Sequence, residues 1–184
     1  MKCMPAVLVF FTAVTISRAE YPGKTVPVYV KPGNFGEKIV ILIRHAEKIT
    51  DEDPTLSDKG KARAEYLKHF FGGSATRPKI IFAQRNDEKH RSIRPIETVR
   101  PLSNAFDIPL NIDFKAKETK ELAAAIRGFS MDKFPVLVCW SHKRIGKIAS
   151  KLMGKDSGDF PKGYDTVWTI ELEKMELAVS KQGF

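Results

Sequence analysis

The sequence predicts an α/β fold built on a mostly parallel sheet with helices on both faces. Three observations carry the prediction. Short apolar runs that read as buried strands alternate with amphipathic helical segments along the chain. The run FPVLVCW, residues 134–140, is apolar throughout, as a central strand covered on both faces must be. Two such runs end abruptly in polar pairs, Arg44-His45 and Ser141-His142, and strand ends are where open parallel sheets bind ligands.

At 184 residues the chain is long enough for one core. Its first 19 residues stand apart. Met1 and Lys2 make a short basic start, Cys3 to Ile16 carries no charge, and Ser17-Arg18-Ala19 places small residues where a signal peptidase reads. The expectation is a secretory signal over residues 1–19, cleaved after Ala19, and a single domain over residues 20–184. The protein would then be secreted (extracellular), with no membrane attachment after cleavage. A short membrane anchor or a buried N-terminal helix is the alternative reading of the same residues.

Cleavage would also remove Cys3 and leave Cys139 alone, so no intramolecular disulfide would be possible. Cys139 sits in the apolar run and reads as a buried thiol, not a nucleophile. The net charge of +9, two less without Lys2 and Arg18, favours acidic partners. The cations are scattered. Aromatic-basic interleaving, zinc-finger spacing and helix-turn-helix spacing are all missing, so no specific nucleic acid partner is expected.

Taken in order, residues 20–37 read as an extended arm and Ile39 to Ile43 as a buried strand. A polar loop follows to Thr55. Ser57 is the N-cap of a helix with Ala62, Tyr66, Leu67, Phe70 and Phe71 on its apolar side, stopped by Gly72-Gly73. Lys79 to Ala83 is the second strand. Pro95 suits the first turn of a helix reaching Phe106, with Pro101 expected to bend it. Ile108 to Ile112 reads as a short strand, and Lys117 to Ile126 as a helix with Leu122, Ala125 and Ile126 inward. The central strand then leads into a helix with Ile145, Ile148, Leu152 and Met153 inward, stopped by Gly154. DTVWTIEL, residues 165–172, reads as the final strand.

If the first and central strands are neighbours, His45 and His142 project into one crevice. His142 lies where a helix begins, so free N–H groups and the helix dipole favour an anion beside it. Arg44 adds a fork-shaped phosphate donor, and Arg94, opening the helix after the second strand, reaches toward the same place. Two histidines and two arginines around one anion suit phosphoryl transfer: a neutral imidazole attacks phosphorus and the guanidinium groups stabilise the equatorial oxygens. His142 would assist as a charged donor. His69 and His90 read as surface residues.

LIRHAEK, then LSDKGKARAEYL, then IFAQRN and RSIRPIETVRPLSNAF, then VLVCWSHKRI, in that order, resemble the histidine phosphatase superfamily, which includes the phosphoglycerate mutases. The resemblance runs from Ile39 to Trp168. It extends to a subgroup with an Arg-His-Ala-Glu-Lys motif and a segment like Tyr164 to Trp168. It implies a three-layer α/β/α sandwich and a phosphatase that hydrolyses phosphomonoesters through a phosphohistidine. It implies His45 as nucleophile, Arg44, Arg94 and His142 as the phosphate pocket, and Glu47 as a residue that orients the cationic groups. It implies no metal and no cofactor. The partner would be a phosphorylated small molecule or a phosphoprotein. The mutases carry longer insertions that this chain lacks.

The general acid is where the sequence departs from the family. The position after the second histidine, acidic in some members, is Lys143. Another branch takes a Glu after the third strand, which makes Glu118 the candidate, with Asp113 and Glu121 nearby. Glu118 has two readings, acid or simple complement to a helix dipole. Gln84-Arg85 replace a small hydroxyl residue at the end of the second strand. Lys143 and Arg144 either read a second phosphate or decorate the rim. The alternative function is a non-catalytic secreted protein that binds a phospho-ligand or interacts with a partner on the same fold.

Overall fold

Side-chain alternation along buried strands sorts the core into two layers. The structure, a computed structural model, describes residues 20–21, 24–25, 37–73 and 77–184. The segment read as a signal and most of the arm lie outside the described residues. Within the arm, β1 (Glu20–Tyr21) and β2 (Lys24–Thr25) pair antiparallel. The main sheet comprises β3 (Ile39–Arg44), β4 (Ile80–Ala83), β5 (Leu110–Asn111), β6 (Val136–Trp140), β7 (Thr166–Glu171) and β8 (Glu176–Lys181). Their order is β5-β4-β6-β3-β7-β8. The first four in that order are parallel, and β7 and β8 are antiparallel.

Among the described residues, four α-helices cover the sheet: α1 (Asp58–Phe70), α2 (Arg94–Phe106), α3 (Thr119–Arg127) and α4 (His142–Met153). Ile39, Ile41 and Ile43 pack on the α1–α2 side with Leu67, Phe70, Val99 and Leu102. Val40 and Leu42 pack on the α3–α4 side with Leu122, Ile126, Ile148 and Leu152. The result is the expected three-layer α/β/α sandwich. Leu42 is wholly buried; truncating such a side chain to Ala leaves a cavity and costs about 2–5 kcal/mol.

Local signals place the helix ends. The Ser57 Oγ accepts from the Gly60 N–H at 3.1 Å, capping α1, whose first turn holds Asp58 and last turn Lys68 and His69. Gly154 ends α4 in the left-handed region at φ 66°.

Four expectations need correction. Ala62 is exposed, and Arg63 and Ala64 take the buried side of α1, because Arg63 finds ion partners there. In α3, Ala123 is buried and Ala125 only half-buried. The strand expected over 108–112 shrinks to two residues, since only Leu110 and Asn111 pair with β4. DTVWTIEL is not the last strand: β8 follows as an exposed edge whose polar pattern hid it.

Candidate active site

The parallel order β4-β6-β3 inserts the last parallel strand between the first two, so three carboxyl ends lie side by side. Arg44 is the register partner of Trp140, and the His45 N–H donates to the Trp140 carbonyl at 3.1 Å. His142 is the first residue of α4 and Arg94 the first of α2, so two helix N-termini face this end of the sheet.

Arg44, His45 and Arg94 are buried, at 7 %, 6 % and 7 % exposure. Arg44 Nη1 donates to the Lys162 carbonyl, and its guanidinium lies 4.1 Å from the centre of the Tyr164 ring. Arg94 Nη2 donates to the Asp51 carbonyl at 3.1 Å. The Nε of each arginine is buried without a partner, and among the described residues no carboxylate forms a salt bridge with either one. Two buried guanidinium groups held by carbonyls and a ring make a site of positive potential suited to an anion.

His45 Nδ1 lies 2.8 Å from the Ala46 carbonyl oxygen. A carbonyl can only accept, so Nδ1 carries the hydrogen and Nε2 keeps its lone pair in the neutral ring. Burial pushes the His45 pKa down to about 4, with Arg44, Arg94 and His142 adding to the effect and the Ala46 contact opposing it. His142 is also pushed down, first by burial and then by Arg44, Lys143, Lys162 and Lys48. The charged donor expected of His142 is therefore disfavoured until an anion offsets those cations. Burial lowers the Arg44 pKa too, and the nearby Arg94 contributes, while Tyr164, Asp51 and Glu47 oppose; a guanidinium remains cationic at neutral pH.

The motif residues turn out to brace this pocket. Glu47 does not touch the pocket cations; its carboxylate is gripped by Arg63, Nε to Oε2 at 2.9 Å and Nη2 to Oε1 at 2.8 Å. Burial opposes its ionisation, but Arg63 and Lys59 outweigh burial and lower its pKa. Arg63 also reaches Gln182 at 3.0 Å and Asp165 at 3.4 Å. Gly60 is required because a Cβ there would lie 2.2 Å from the Glu47 carbonyl oxygen. The Glu47 carbonyl also accepts from the Ser57 N–H at 2.9 Å. Thus α1 and its N-cap hold the stretch just after His45 by the Ser57 backbone bond and by ion pairs from Arg63 and Lys59 to Glu47.

Sequence reasoning missed Thr98, Glu97 and Lys162, and named Gln84 and Tyr164 without assigning them these contacts. The Thr98 Oγ1 donates to the Arg94 carbonyl at 2.7 Å and accepts from the Ala46 N–H at 2.9 Å, joining α2 to the residue after His45. Glu97 Oε2 accepts from the Leu56 N–H at 2.8 Å. The RPIETV motif carries both residues, so their role was available as a spacing signal. Buried Gln84 accepts from the Ser141 N–H at 3.3 Å, tying β4 to the start of α4. Nothing in the local sequence announces Lys162, and Tyr164 entered only as the start of a segment that carries the resemblance.

The acid candidates are not brought onto the histidines. Glu118 precedes α3, and its Oε2 accepts from the Lys115 N–H at 2.7 Å. Its turn still borders the site, since the Ala116 carbonyl accepts from the Trp140 indole at 3.2 Å. Asp113 is exposed, with Asn111 Nδ2 donating to it at 2.6 Å, and Glu121 is exposed in the first turn of α3. His90 pairs with Asp87 at 3.2 Å, and His69 is exposed. Cys139 is fully buried, which pushes its thiol pKa up, as for an inert side chain.

No protein-family model and no curated protein matches the chain. Solved structures do. The protein histidine phosphatase SixA complexed with tungstate superposes with a TM-score of 0.57 at 12 % identity, over 77 % of this chain and 94 % of that one. SixA from Agrobacterium tumefaciens gives 0.53 at 17 %, over 78 % and 96 %. SixA from Nakamurella multipartitia gives 0.51 at 16 %, over 79 % and 96 %. Identities this low speak for the fold, and the shared course of nearly the whole of each neighbour makes that fold plain: this chain has the fold of the histidine phosphatase SixA structures.

Proposed function

We propose that this chain is a secreted phosphatase that hydrolyses phosphomonoesters through a phosphohistidine on His45. The observation that carries the reading is the tautomer of His45: Nδ1 is committed to the Ala46 carbonyl, which leaves Nε2 as an unprotonated nucleophile beside Arg44, Arg94 and His142. Nε2 attacks phosphorus, the bond to the ester oxygen breaks, and the leaving oxygen takes a proton from Glu118 or, for a good leaving group, from water. Arg44, Arg94 and the His142 N–H hold the three equatorial oxygens. Water then attacks the phosphorus–nitrogen bond, releasing phosphate and the neutral imidazole. The likeness to a protein histidine phosphatase that holds tungstate, an oxyanion, supports a phosphorylated small molecule or phosphoprotein as partner.

The test is rapid quenching of wild-type protein with substrate at alkaline pH, where phosphohistidine survives. Phosphate should appear on the peptide containing Arg44-His45, and His45→Ala should lose turnover. Undiminished hydrolysis by His45→Ala would refute the mechanism. Secretion rests on residues 1–19 alone; protein recovered from the culture medium should begin at Glu20, and a retained Met1 would overturn it.

One observation favours the second reading, a non-catalytic protein that binds a phospho-ligand. Glu118 is tied into its own turn, and Asp113 and Glu121 are exposed away from any histidine contact. An aryl phosphate with a good leaving group separates the two readings, because it needs little proton donation. Failure to hydrolyse it while still binding phosphate would favour the binding reading.

A further inference from the structure

Arg44 forms no salt bridge among the described residues. The loop before β7 holds it instead, through the Lys162 carbonyl and the Tyr164 ring 4.1 Å away. The same ring lies 6.0 Å from that of His45. What fixes this loop is Gln182, just past β8 and only 1 % exposed. Each polar atom of Gln182 has a partner. Its Nε2 donates to the Tyr164 carbonyl at 3.2 Å, and its Oε1 accepts from Arg63 Nη1 at 3.0 Å. Its N–H donates to the Asp165 carbonyl at 2.8 Å, and its carbonyl accepts from the Tyr66 hydroxyl at 2.9 Å. Arginine can only donate and a carbonyl can only accept, so one orientation of the amide satisfies both neighbours. The next residues tighten the joint. The Gly183 N–H donates to Asp165 Oδ1 at 3.0 Å, and the Phe184 ring lies 4.6 Å from the Arg63 guanidinium.

Two routes therefore lead from Gln182 to the pocket. One runs through the Tyr164 carbonyl to the ring that carries Arg44. The other runs through Arg63 to Glu47, two residues after His45. None of the Gln182 hydrogen bonds reaches Arg44, His45, Arg94 or His142. A buried amide with its bonds made resists displacement, because each orphaned group would lose a bond that water does not replace. Resting on the reading of the pocket as a phosphoryl site, we infer that Gln182 is a positioning residue for Arg44: by fixing the Tyr164 backbone it sets where the guanidinium meets the anion. The cation–π contact suits this task, since it holds a guanidinium in place without neutralising the charge that the anion needs.

The test observes Arg44 directly in the full chain. Its Nε–H gives a proton–nitrogen NMR signal within reach of the Tyr164 ring current, identified by its loss in Arg44→Lys and measured without any ligand. Gln182→Glu keeps an oxygen for Arg63, whose charge favours the ionised form, and has no hydrogen left for the Tyr164 carbonyl. Gln182→Met removes both bonds. In either variant the signal should move toward its position in Tyr164→Leu. Affinity for inorganic phosphate, by calorimetry, should fall roughly ten-fold, the order of a partly buried cation–π contact. Adding Gln182→Glu to Tyr164→Leu should cost about two-fold or less beyond Tyr164→Leu alone, since the two act along one route. Lys181→Met removes the neighbouring bond to Thr166, 2.9 Å long, and should alter neither measurement. An unmoved signal in both Gln182 variants, additive losses in the double variant, or an equal loss in Lys181→Met would overturn the assignment. Turnover of an aryl phosphate is measured separately. A wild type that hydrolyses nothing, with a signal that still depends on Gln182, would refute the phosphatase reading and support the positioning role. A wild type that turns over, with signal and affinity unaltered in the Gln182 variants, would do the reverse.

Discussion

Arg44 and Trp140 face each other in register across β3 and β6, and the His45 amide is hydrogen-bonded to the Trp140 carbonyl. That pairing sets the depth at which the His45 ring leaves the sheet. It also brings Ser141 and His142, the next residues along, to the same level. The His45 ring is thereby held just past the end of β3, and on the proposed mechanism this would give its nitrogen the rigidity that in-line attack requires.

The pH dependence follows from burial of His45. Unfolded, its imidazole takes up a proton near pH 6.5; folded, it does so near 4. Between those values the unfolded chain binds more protons, so its share of stability is full above pH 6.5 and is lost as the pH falls toward 4. The loss should amount to about 3 kcal/mol or less. Denaturant unfolding at pH 7 and pH 4.5 should show a larger decrease for wild type than for His45→Gln. Equal decreases would contradict the placement of this ring.

Gly60→Ala should harm both stability and turnover. Its Cβ would meet the Glu47 carbonyl oxygen at 2.2 Å, and the displaced backbone lies two residues beyond His45. Overpacking of this kind costs about 1–3 kcal/mol. Gly128→Ala, whose nearest neighbour would be 3.5 Å away, is the control and should be tolerated. Urea midpoints and aryl phosphate turnover of both variants check the contrast.

Arg63→Met should destabilise by about 3 kcal/mol, because it leaves the largely buried Glu47 carboxylate with only Lys59, 3.8 Å away and itself exposed, as an ion partner. Adding Glu47→Gln should recover much of that loss, since the uncompensated charge is then gone. A double variant no more stable than Arg63→Met alone would show that packing of the arginine stem carries the effect.

Glu118→Gln should impair hydrolysis of alkyl phosphates far more than of aryl phosphates, because only the poor leaving group needs a proton in the transition state. Glutamine keeps a carbonyl oxygen to accept from the Lys115 N–H, so the turn is preserved. Equal losses on both substrates, or none, would move the role to Asp113 or Glu121, or to no residue.

The central strand, both histidines at strand ends and the caps at Ser57 and Gly154 are legible in the sequence because each is a local property. An apolar run has one solution in a two-sided sheet, and a Ser before a helix or a Gly after one acts within a few residues. The roles of Glu47, Arg63 and Thr98 were not legible, although their motifs were. Glu47 reads as a partner of the pocket cations until Arg63, 16 residues on, takes its carboxylate. Lys162 and Tyr164 reach Arg44 from 118 and 120 residues away, and a separation in sequence this long leaves no local signal of the contact, even where Tyr164 opens a segment that carries the resemblance. β8 is hidden because an edge strand exposed to water needs no apolar alternation. Tertiary structure decided these points for one physical reason. Sheet order places β6 between β3 and β4, and the partners of a buried charge are chosen by which segments that order brings within hydrogen-bonding distance.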